Sequence, residues 1–182
     1  MGLLALALVA GTIQSVRVKR RLPAIDILAN GSLDYVDVLM AHKEYDRAIR
    51  QLQLLSRLLP HEPETYEYLG TVLGKRGRPE EAQAQFRELV RLRPDYAAGY
   101  NFLGSTYFET EEFGTAAALF EQALKLKPDF PQALNNLGMA SAHLGKLDVA
   151  VNCFARAVEL SPNNDEVRTN LEWARQQLGG RR

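Results

Sequence analysis

Few side chains in this sequence are of a type and spacing that could do chemistry. The one thiol, Cys153, lies in the apolar run "AVNCFARA". It reads as a small packing residue, because a reactive cysteine needs a neighbour that holds the thiolate. His42, His61 and His143 are far apart, and none has a Cys, His or carboxylate partner at metal-ligand spacing. The carboxylate-rich stretches "EPETYEY" and "ETEEF" fall at helix starts and turns, where solvated acids are expected. No glycine-rich phosphate loop and no Ser, His and Asp set converges by spacing. The expectation is a chain without catalysis, cofactor or metal. What remains is hydrogen-bonding chemistry. In "KPDFPQALNNLG", Asn135 and Asn136 sit side by side in an apparent helix interior, although Asn is a poor helix former.

The elements that position those amides follow from an internal repeat. Gly70, Gly104 and Gly138 are 34 residues apart, as are Leu69, Leu103 and Leu137. Ala48, Ala82, Ala116 and Ala150 keep the interval, and so do Phe86, Phe120 and Phe154. Pro60, Pro94, Pro128 and Pro162 close the units. Within a unit, "ETYEYLGTVLGKRG" has helical apolar spacing and a terminating Gly. "PEEAQAQFRELVRLRP" opens with Pro and acids, which suit a helix start. Each unit is therefore a helix, a tight turn, a second helix and a Pro-marked break. Gly70 and Ala82 are expected where the paired helices come closest.

Tyr66, Leu69, Gly70, Ala82, Phe86 and Pro94 carry a resemblance to the tetratricopeptide repeat (TPR) family. Tyr100, Leu103, Gly104, Tyr107, Ala116, Phe120, Ala123 and Pro128 repeat it. So do Leu137, Gly138, Ala150, Phe154, Ala157 and Pro162. The resemblance covers about residues 29–178. It implies an all-α, right-handed α-solenoid of stacked helix-turn-helix repeats, four units plus a C-terminal capping helix. The units are 29–62, 63–96, 97–130 and 131–164, with the cap over 165–178. The first copy keeps Tyr35, Leu39, Ala48, Leu52 and Pro60 but has Val36 in the glycine column, which questions close packing there. Asp165 is a candidate cap for the last helix.

The resemblance also implies a concave face lined by the first helix of each unit. On the 34-residue grid one lining column reads Asp34, Tyr68, Phe102, Asn136, Asn170. Its neighbour reads Leu33, Glu67, Asn101, Asn135, Thr169, and a turn further lie Asp37, Thr71, Ser105, Met139 and Trp173. The expected peptide-binding groove is Tyr68, Thr71, Asn101, Phe102, Ser105, Asn135, Asn136, Met139 and Asn170, all pointing away from the core. Amides can bond a peptide backbone whatever its side chains. The alternative is that they solvate a helix face or bond neighbouring helices. The lining columns hold Asp34, Asp37, Glu64 and Glu67 and no Lys or Arg. A carboxylate clamp for chaperone tails is therefore not expected, and a ligand with basic residues is favoured.

Lys plus Arg and Asp plus Glu number 22 each, so no basic excess points to nucleic acid. Apolar content of 46% is that of an ordinary globular protein. The apolar segment 1–16 is followed by the basic run and linker 17–28. About 15 residues make roughly 22 Å of helix, short of a hydrocarbon core of about 30 Å. Three readings stay open. One is a single membrane anchor through residues 2–16 with the array on the cytoplasmic side. Another is a signal peptide. The third is a buried or interfacial helix, or the last span of a larger protein; in the former case the chain is soluble and cytoplasmic. The layout resembles membrane-anchored TPR adaptors. The functional expectation is a non-catalytic adaptor or scaffold that binds a protein or peptide in the groove. The alternative is a regulatory or substrate-docking portion of a larger membrane enzyme.

Overall fold

The computed structural model describes residues 33–180, and within them it contains nine helices and no strand. The first, α1, covers 33–41. It is followed by α2 (Tyr45–Leu58), α3 (Pro63–Lys75), α4 (Pro79–Leu92), α5 (Ala97–Glu109), α6 (Phe113–Leu126), α7 (Pro131–His143), α8 (Leu147–Leu160) and α9 (Asp165–Gly179). The local causes are regular. Pro63, Pro79 and Pro131 open α3, α4 and α7, where a missing N–H costs nothing and φ is preset. The second helices α2, α4, α6 and α8 each end two residues before a Pro, which disfavours helical backbone in the residue ahead of it. The last helix is capped by Asn164, not Asp165: the Asn164 side-chain oxygen accepts from the Val167 N–H at 3.3 Å.

From α2 to α9 each helix packs on its neighbours in the chain, and α1 shares a buried cluster with α2, giving an all-α solenoid of helix-turn-helix repeats. The turn inside each unit passes through a left-handed residue at the same grid position. Gly77 (φ 75°) and Gly145 (φ 76°) take it freely, whereas Lys43 (φ 58°) and Glu111 (φ 62°) take it at a steric cost.

The core repeats one contact. A Cβ added to Gly70, Gly104 or Gly138 would lie 2.6, 2.6 and 2.5 Å from the ring of Phe86, Phe120 and Phe154 respectively. Each phenyl ring thus packs directly against the backbone of its partner helix at the glycine. The first unit solves the same space differently. Val36 replaces the glycine and Leu52 replaces the phenylalanine, and both are fully buried in one cluster with Ala48. A larger residue on one helix is matched by a smaller one on the other, so the loss of the glycine does not open this pair.

Candidate functional site

The two adjacent amides serve two different neighbours. Asn136 Nδ2 on α7 donates to Asn101 Oδ1 on α5 at 3.0 Å, and to Ser105 Oγ at 3.4 Å. Asn170 Nδ2 on α9 donates to Asn135 Oδ1 on α7 at 3.1 Å. Consecutive helix residues point about 100° apart, from 3.6 residues per turn. Asn136 therefore reaches back to the preceding unit while Asn135 receives the following one. Both rungs span 35 positions, one repeat plus one residue. They bridge α5 to α7 and α7 to α9, the first helices that touch across units. Asn101 and Asn135 are buried, and Asn136 and Asn170 half-buried. Each rung uses one end of an amide. Among the described residues the Asn136 and Asn170 side-chain carbonyls accept no hydrogen bond.

The other polar groups of these columns vary in how far they are committed. Thr71 Oγ1 donates to the Glu67 carbonyl at 2.8 Å, and Ser105 Oγ to the Asn101 carbonyl at 3.0 Å. Tyr68 Oη donates to Asp37 Oδ2 at 3.3 Å, and Tyr96 Oη to Glu67 Oε1 at 3.2 Å. Burial raises the Glu67 carboxyl above its ordinary range, opposed by the Tyr96 hydroxyl and the Arg93 charge. Burial also raises the Tyr68 and Tyr96 hydroxyls, reinforced by the carboxylates Asp37 and Glu67 that they face.

Phe102 departs from the expectation that it points away from the core. Its ring stacks on Phe86 at 5.4 Å and packs against the buried cluster of the first units. It is an apolar floor rather than a free-standing contact. Sequence columns also missed two side chains outside the first helices. Arg93, after α4, bonds Glu64 at 3.5 Å and lies 4.3 Å over the Tyr96 ring. These two sit in the connection before α5, so a column drawn through helices does not pass through them.

Two hollows collect most of the expected residues. Asn101, Phe102, Ser105, Asn135 and Asn136, with Glu166 of α9 beside them, line one of about 400 Å³. Met139, Asn170 and Trp173, with Phe154 behind, line a second of about 420 Å³ between α7 and α9. Neither is lined by a Lys or Arg. Tyr68 and Thr71 lie a unit earlier, on α3.

No group of three or more metal-ligating side chains occurs among the described residues. His143 instead stacks on Phe113 at 4.2 Å and meets Phe108 edge-on at 5.3 Å. Burial, reinforced by the Glu121 charge, pushes the Cys153 thiol up to about 11. Among the described residues no helix is long and apolar enough to cross a membrane. The apolar segment 1–16 and the basic run and linker 17–28 lie outside those residues.

The fold has known counterparts. The family model described as "Tetratricopeptide repeat" matches residues 69–126 and 103–165, together just over half of the chain. No curated protein matches it. Among solved structures, MamA is 24% identical with a TM-score of 0.74, over 79% of this chain and 84% of that one. YrrB, described as "a TPR protein with an unusual peptide-binding site", is 21% identical with a TM-score of 0.69, over 86% and 83%. The first TPR of Spaghetti (RPAP3), bound to the HSP90 peptide SRMEEVD, is 26% identical with a TM-score of 0.63, over 64% and 93%. By its matched repeats and its glycine-on-phenylalanine helix pairs, the chain belongs to the tetratricopeptide repeat family.

Proposed function

We propose that this chain is a non-catalytic adaptor that holds an extended segment of a partner protein along its first-helix face. The observation that carries the reading is the pair of half-buried amides, Asn136 and Asn170. Both are held in place by a bond to the first helix of the preceding unit, and both keep a carbonyl with no partner among the described residues. A fixed, unused acceptor suits a backbone N–H, and its rotamer entropy is already lost. The hollow floored by Phe102 and the one beside Trp173 supply apolar contact on either side of this strip. The Spaghetti neighbour is titled as bound to a peptide, and YrrB as having a peptide-binding site.

The partner segment is basic where it crosses the first two units. Asp34, Asp37, Glu64 and Glu67 lie there, and Arg93 answers only one of them directly, Glu64. The contrast with SRMEEVD, an acidic peptide, follows from the lining: here no Lys or Arg borders either hollow. Such charges steer association more than they add affinity. A peptide array of basic, neutral and acidic decamers, probed with the labelled protein, tests the reading. Preferential capture of basic decamers, lost in high salt, is expected. Capture of acidic decamers alone would overturn it.

A further inference from the structure

The upstream end of the stack exposes a face that every later unit covers. The second helix of one unit backs the first helix of the next. This leaves Leu69, Leu103 and Leu137, and likewise Val72, Thr106 and Ala140, at most 7% exposed. The residues of α1 at those two grid positions are Tyr35, 43% exposed, and Val38, 52% exposed. On α2, Leu54 is 51% exposed. Leu54 is specific to this end, since the later units carry Glu88, Gln122 and Arg156 at its position. Tyr35, Leu39 and Leu54 line a hollow of about 320 Å³ together with Arg47, Arg50 and Gln51, and Arg47 donates to Tyr35 Oη at 2.9 Å. Single exposed apolar residues are ordinary, but Tyr35 and Val38 lie at positions that later units bury, and Leu54 shares a hollow with Tyr35.

We propose that this end face is covered by the chain's own apolar segment, residues 3–13, "LLALALVAGTI". The segment carries no charged side chain. As a helix it would be roughly 16 Å long, too short for a hydrocarbon core of about 30 Å but well matched to the two short helices beneath it. Reach is ample. Residues 14–32 connect the segment to α1 and span up to roughly 60 Å extended, against the 8–10 Å that separates packed helices. The basic residues Arg17 to Arg21 fall in that connection, which lets them stay clear of Arg47 and Arg50. The segment thus takes the place that a preceding second helix holds in the inner units. It closes the solenoid at one end as α9 closes it at the other.

Cross-linking in the full-length chain tests this. A variant with Leu6→Cys, Val38→Cys and Cys153→Ala is treated with a bismaleimide, with and without vesicles of phosphatidylcholine and phosphatidylglycerol. The expected main product is an intrachain link: monomer mass, both thiols consumed, in either condition. Leu6→Cys with Gln176→Cys, at the far end of the array, gives no such product. Helical circular dichroism checks that the variants fold. If Cys153→Ala disturbs folding, Cys153 is retained, because its buried thiol reacts slowly. A main product linking two chains would mean that a second copy covers the face. Protection of position 6 by vesicles, with flotation of the chain, would mean that the segment enters the bilayer. Free reaction of both thiols without a link would leave the face uncovered. Each of these three results overturns the proposal.

Discussion

The contact between Gly104 and Phe120 lends itself to a quantitative test. A Cβ at position 104 would lie 2.6, 2.8 and 3.1 Å from three atoms of the Phe120 ring. Ordinary carbon contacts are about 3.5–4.0 Å, so the ring would have to retreat by roughly 1 Å. Phe120 is 1% exposed and packed in a buried cluster with Ala116, Leu137 and Cys153. Gly104→Val should therefore cost about 1–3 kcal/mol by overpacking. For a chain of this size that is a fall in Tm of roughly 2–12 °C, at about 2–4 °C per kcal/mol. Phe120→Leu alone leaves a gap and should cost on the order of 1–2 kcal/mol. The double variant copies the Val36 and Leu52 pair of the first unit, where both residues are fully buried. It should be more stable than the sum of the single effects by about 0.5–3 kcal/mol, the range for side chains in contact. Urea unfolding of all four proteins closes the cycle. Additive costs, or an unchanged Tm for Gly104→Val, would refute the complementary-packing argument.

Three further outcomes follow from the structure. Glu67 has a carboxyl raised by burial, so its ionisation disfavours the fold. The stability held by the protonated form is present below the ordinary carboxylate range and lost as pH rises through the raised value. Glu67→Gln, which can still accept from Tyr96, should melt modestly above the parent at pH 7 and level with it in acid. Cys153, with its thiol near 11, should resist a thiol-reactive dye in the folded protein and react at once in denaturant. Glu111→Gly should relieve a left-handed residue and stabilise by up to about 1 kcal/mol after the entropy of the unfolded chain is counted, whereas Gly145→Val should destabilise. Denaturant titrations read both turn variants.

Much of the scaffold was legible because one constraint recurs in several columns. A glycine under a phenyl ring, an alanine on the facing helix and a proline two residues past a helix end each leave an independent trace every 34 residues. The first unit was harder to read. Its glycine and phenylalanine changed together, and only the filled contact shows that Val36 and Leu52 compensate. The lining amides were legible as a strip but not in their pairing. Whether Asn136 bonds a peptide or the preceding first helix depends on how closely first helices approach across units, which a periodic pattern does not encode. The approach is close between α5 and α7 and between α7 and α9, and there the rungs form. Phe102 misled for the opposite reason. It occupies a lining column, yet an aromatic side chain is long enough to fold back onto Phe86. Arg93 and Tyr96 lie in a connection, where helical columns carry no information.

The central claim is that the unused amide carbonyls on the first-helix face receive the partner's backbone. Isothermal titration of one captured basic decamer against the parent, Asn136→Ala and Lys125→Ala measures it most directly. Lys125 is exposed on α6, a second helix. Asn136→Ala removes a net hydrogen bond of about 1 kcal/mol, which is roughly fivefold in Kd, while Lys125→Ala binds as the parent does. Unchanged binding by Asn136→Ala together with lost binding by Lys125→Ala would contradict the account and move the ligand to the second-helix side.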